Sequence, residues 1–175
     1  MRALFLALFA VVVALGLVAP ANAIGPAATL VSDTQEAKND VATFRTTQNQ
    51  LLNSYVQKYS SRFTPTESAA FTNAQTKADR SLLALQRATA KTDRLAQAGA
   101  SKSRINKAAK DAQRSYERAV TAATDTQTSL EPILRNRLSL GEAFSAYRDY
   151  SGAMGNFEDI GAQLDAIAER TKPGR

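Results

Sequence analysis

Neither cysteine nor histidine occurs anywhere in the 175 residues, and tryptophan is absent as well. Without the first two, thiol nucleophiles, histidine-based triads and most transition-metal sites are excluded. No disulfide can form, so the fold must rest on its core. Five prolines and eight glycines are too few for a loop-rich chain. No stretch alternates apolar and polar residues with the period of two that marks a half-buried strand. No glycine-rich phosphate loop and no calcium-loop spacing is present. Paired carboxylates are the catalytic option left open. Yet Glu158, Asp159, Asp165 and Glu169 fall off the apolar seam of their segment, where burial does not raise a pKa. The sequence predicts a non-enzyme with no cofactor and no metal.

What the chain does have begins with an export signal. Arg2 precedes an apolar run from Ala3 to Ala19, followed by Pro20 and the small-x-small pair Ala21 and Ala23. Residues 1–23 therefore read as a signal peptide cleaved after Ala23, which places the rest outside the cytoplasm, periplasmic or secreted. Retained, the same run would tether the protein to a membrane. No second long apolar segment follows. Residues 24–175 are the length of one domain, able to bury about two thirds of its unfolded surface without a covalent staple.

The pattern of the remainder is helical throughout. Val41, Phe44, Gln48, Leu51, Tyr55 and Tyr59 step by three and four along one face, and Ser32 with Gln35 reads as a capping box, so a first helix is predicted over 33–62. Thr64, Pro65 and Glu67 restart the chain into a helix over 65–98, ended by Gly99. Ile105, Ala109, Ala112, Tyr116, Ala119, Ala123, Thr126 and Leu130 define a third over 102–137, carried through Pro132 by the apolar residues beyond it. Ser139 and Glu142 cap a fourth over 140–169 with Phe144 and Tyr147 turned inward. Gly152 and Gly155 break it, and Asn156 caps its last part. Residues 170–175 are tail. Long helices joined by short turns give an all-α, antiparallel up-down bundle of four helices, with aromatic residues gathered at one end and alanine seams at the other.

Charge is unevenly spread. From Lys77 to Arg118 there are 11 basic and 4 acidic residues, whereas 119–175 carry 6 and 8. Lys107, Lys110, Arg114 and Arg118 lie within about 80° on one helical wheel, and Arg87, Lys91 and Arg94 lie opposite the seam of the preceding helix. These seven form a candidate site for an anionic partner: envelope polymer, lipid headgroups or an acidic protein. Aromatic residues do not interleave with them as nucleic-acid binding would require, so nucleic acid is not expected. Tyr147, Tyr150, Met154 and Phe157 flank the glycines and form a candidate protein-docking site. The alanine seams bury little apolar area, which leaves room for self-association. The expected function is that of a non-enzymatic interaction or accessory subunit at the extracytoplasmic face of a bacterial-type membrane. The alternatives are a bundle that holds a small apolar ligand among Phe63, Phe71, Leu134, Phe144 and Tyr147, and an envelope chaperone.

Overall fold

The computed structural model describes residues 27–173. Four helices run in sequence: α1 (Ala27–Tyr59), α2 (Pro65–Gln97), α3 (Lys102–Arg137) and α4 (Leu140–Arg170), with a single 3₁₀ turn, Ser60–Arg62, after α1. Each runs antiparallel to the one before, and α1 also packs on α4, closing the ring of an up-down-up-down bundle. At 31 to 36 residues the helices are about 50 Å long. The signal peptide expected over residues 1–23, with Ala21 and Ala23, lies outside the described residues.

Local chemistry sets three of the helix ends. The Thr64 side chain accepts from the Glu67 N–H at 3.2 Å while the Glu67 carboxylate accepts from the Thr64 N–H at 2.7 Å, with Pro65 opening α2. Ser139 and Glu142 form the same reciprocal pair ahead of α4. At the far end of α2, Gly99 adopts φ +64°. It donates to the Ala96 carbonyl while Ala100 donates to that of Leu95, both at 3.0 Å, which closes the helix in the way a glycine at this position permits. α3 runs through Pro132 to Arg137 as its apolar residues require.

The start of α1 departs from expectation. Ser32 and Gln35 are exposed residues inside a helix that begins at Ala27, because the seam extends back through Leu30, Thr34 and Ala37. α4 departs further: it is one continuous helix through Gly152, Gly155 and Asn156. Two helical glycines weaken α4 by about 1 kcal/mol each relative to alanine. Burial of Phe157, Ile160, Leu164 and Ile167, each 1% exposed or less, outweighs that at about 1.5–3 kcal/mol apiece. Phe144 is turned outward, 62% exposed, and the inner seam at this level is carried by Ala143 and Ala146. Tyr147 is half-buried.

The core has two parts. A lower cluster centres on Phe44, Leu82, Leu85 and Phe157, with the Phe44 and Phe157 rings stacked 4.4 Å apart. An upper cluster holds Leu52, Tyr55, Tyr59, Phe71, Leu130 and Ile133, with Phe63 stacked on Phe71. Between them is a waist of small or polar buried residues, Ala78, Ala122, Ala123 and Gln48. There the Tyr150 hydroxyl donates to the Ala123 carbonyl at 3.0 Å. Polar ties fix which helices are neighbours. Arg45 reaches from α1 to Asp79 on α2 at 2.8 Å, and Gln163 on α4 donates to Asp40 on α1 at 2.8 Å. At the upper end both capping glutamates serve twice: Arg62 holds Glu142, and Arg137 holds Glu67.

Candidate functional site

The seven predicted basic residues come together on the outer face of the α2–α3 hairpin. Arg87, Lys91, Arg94, Lys107, Lys110, Arg114 and Arg118 are all exposed. Two carboxylates of α3 stand among them, exposed Glu117 and Asp111, the latter 3.7 Å from both the Lys91 ammonium and the Arg114 guanidinium. At that distance and exposure such pairs contribute about 0–1 kcal/mol. Arg87, Arg94, Lys107, Lys110 and Arg118 make no ion pair among the described residues.

The start of α3 adds to this field. Lys102 and Arg104 occupy a first turn that contains no acidic residue, and the Ser101 side chain does not cap it. Cations at a helix N-terminus oppose the helix dipole by about 0.3–1 kcal/mol each. The local rule is broken in favour of positive potential.

Beside the hairpin, a groove of about 450 Å³ runs between α3 and α4. Lys110 and Arg114 line it together with Tyr116, Gly161 and Leu164, and so do the acids Glu117 and Asp165. At Gly161 the Tyr116 ring packs against bare backbone, since a Cβ would sit 2.7 Å from the tip of that ring. Burial, with the negative charges of Glu158, Asp165 and Asp159 nearby, pushes the Tyr116 hydroxyl up to about 12. The groove's phenol is therefore neutral at ordinary pH. Its proximity to the basic face was not legible in the sequence, because it depends on how α4 packs against α3.

The four predicted docking residues are not brought to one surface. Phe157 is fully buried, stacked on Phe44 and tilted against Tyr116. Tyr150 is turned inward to Ala123, and burial raises its hydroxyl to about 12. Met154 packs on the lower cluster. The expectation that all four face a partner is corrected at Phe157 and Tyr150, which the continuous α4 turns into the bundle, while Tyr147 and Met154 are half-buried. Of the residues considered for an apolar ligand, Phe63, Phe71 and Leu134 pack in or against the upper cluster, while Phe144 stands outside it.

One buried acid was also missed. Asp93 is 2% exposed and accepts from Lys38 at 2.7 Å, Gln97 at 3.0 Å and Thr34 at 3.4 Å. Held by three donors, it is a structural tie between α1 and α2. Among the described residues there is no grouping of acids able to hold a metal ion, and no helix is long and apolar enough to cross a membrane.

The fold defines an all-α four-helix bundle with one strongly basic side. No protein family, curated protein or solved structure matches this chain.

Proposed function

We propose that the protein is an exported, non-enzymatic interaction subunit that works at the outer face of a bacterial-type membrane and engages an anionic partner through the α2–α3 face. The observation that carries this reading is the exposure of seven cations on a face where α3 offers two carboxylates, Glu117 and the weakly paired Asp111. A face that served only for solubility would be better balanced by mixing both signs. The cations against the dipole at the start of α3 support the same reading, since local rules are broken most often where function requires it. The mechanism is long-range attraction followed by exchange of mobile counter-ions for fixed anionic groups. Each cation near an anionic surface contributes about 1 kcal/mol, and the attraction weakens as salt is added.

The reading is tested by purifying the protein from gently solubilised envelopes, with elution at low salt and then at about 0.5 M, where the screening length falls to about 4–5 Å. Partners that leave in the salt step support it. A partner set that remains unchanged in about 0.5 M salt contradicts it.

A further inference from the structure

Among the described residues the bundle leaves two large apolar side chains exposed, Leu140 at 78% and Phe144 at 62%. They stand one turn apart on the outer face of α4, at the upper end of the molecule. The turn that carries them is held firmly. Ser139 and Glu142 cap it, and two guanidinium nitrogens of Arg62 donate to the Glu142 carboxylate at 2.9 and 3.2 Å. The pair is thus displayed by a fixed scaffold.

We propose that this tip inserts into the surface of an anionic lipid bilayer, with Leu140 and Phe144 reaching the acyl boundary. Two observations select lipid over another protein. The first is area: two side chains offer far less than the about 800 Å² per partner that a specific protein interface buries, whereas an interfacial wedge needs no more. The second is charge. Arg148, one turn beyond Phe144 on the same face, is 72% exposed, with Asp149 3.8 Å from it. Glu67 and Glu142, the capping acids of this end, are each held by an arginine. Lys58 and Arg135 are exposed and make no ion pair among the described residues, and they outnumber the one further acid here, Glu131. The balance of charge around the wedge is positive, complementary to anionic headgroups. A bundle seated on this tip keeps its α2–α3 face to the side, open to the partner proposed above.

The chain contains no tryptophan, so Phe144→Trp gives a single reporter at the tip. The experiment uses residues 24–175, which hold every described helix. The Phe144→Trp protein is mixed with vesicles of phosphatidylcholine alone or with about 30% phosphatidylglycerol, which supplies the negative surface potential. The inference predicts a blue-shifted emission that brominated acyl chains quench, in the anionic vesicles only. Leu140→Ser/Phe144→Ser, both at exposed positions, weakens co-sedimentation about tenfold or more while leaving helicity unchanged. Emission unchanged by anionic vesicles overturns the inference. So does a blue shift that develops without lipid as the protein is concentrated and its mass doubles, which assigns the tip to a second copy. Neutralising Arg87, Lys91 and Arg94 leaves the tryptophan signal of the Phe144→Trp protein in place, so the tip and the basic face succeed or fail separately.

Discussion

Gln48 is the residue most out of place in this core. It is 2% exposed, and neither its amide nitrogen nor its amide oxygen has a hydrogen-bond partner among the described residues. It lies one turn from Phe44 of the lower cluster and one turn from Leu52 of the upper, at the waist where the neighbouring buried residues are alanines. An unsatisfied buried polar group costs about 1–3 kcal/mol. Gln48→Met keeps the length and flexibility of the side chain and removes both polar ends, so the substitution should stabilise the bundle by about 1–3 kcal/mol. For a domain of this size each kilocalorie raises Tm by about 2–4 °C. Thermal unfolding followed by circular dichroism reads the shift, and urea unfolding checks that m is unchanged. A Tm lowered by several degrees would refute the reasoning, since it would mean that the amide is satisfied in solution. A Tm raised with a loss of cooperativity would show Gln48 holding the helices in register, as lone polar residues do in coiled coils.

Three further outcomes follow from the geometry. Lys38→Met strands the buried Asp93 carboxylate with Thr34 and Gln97 as its remaining donors and should cost about 3 kcal/mol, while Lys38→Met/Asp93→Leu recovers most of that; a double variant as unstable as the single one contradicts this. Hydrogen bonds from Arg62, then from Ser139, hold the Glu142 carboxyl down to about 2 from an ordinary value of 4.5. The carboxylate's stabilisation is therefore complete above about pH 4.5 and lost as pH falls toward 2. Arg62→Gln should flatten the fall in Tm across that window, and an acid limb identical to wild type tells against the pairing. Finally, Gly152→Ala should raise stability by about 1 kcal/mol, because a Cβ there meets nothing within 4 Å. Gly161→Ala should lower it by about 1–3 kcal/mol through contact with Tyr116. Urea midpoints that move in the same direction for both glycines would contradict the packing described.

Helix ends set by short-range chemistry were legible in the sequence, and those set by packing were not. Thr64–Pro65–Glu67, Gly99 and Ser139–Glu142 act within four residues of themselves, so their pattern suffices to place the turns. The continuity of α4 depends on neighbours. Gly152 and Gly155 argue for a break within their own stretch, and the argument fails only because Phe44, Tyr116 and the rest of the lower cluster grip the helix below them. Phe144 misled for a related reason. The α4 seam can be drawn through Phe144 and Tyr147 or through Ala143, Ala146 and Tyr150, and Phe144, the most apolar of these, is the one turned outward. Asp93 shows the same ambiguity on α2. After Thr89 the seam can step three residues to Thr92 or four to Asp93, and both are buried, Asp93 with Lys38 reaching across to it from α1. The basic face was legible because outward charge needs only the wheel. The Tyr116 groove beside it required the third dimension.

The most direct test of the basic face compares wild type with a chain in which Arg87, Lys91, Arg94, Lys107, Lys110, Arg114 and Arg118 are all replaced by glutamine. All seven side chains are exposed, so the fold should survive the change. Binding to isolated bacterial envelopes is measured for both from about 0.05 to 0.5 M salt, a range over which screening shortens from about 14 to 4–5 Å. The account predicts that wild-type affinity falls steeply with salt and that the glutamine chain binds weakly throughout with little salt dependence. Equal binding by the two chains at low salt would contradict it.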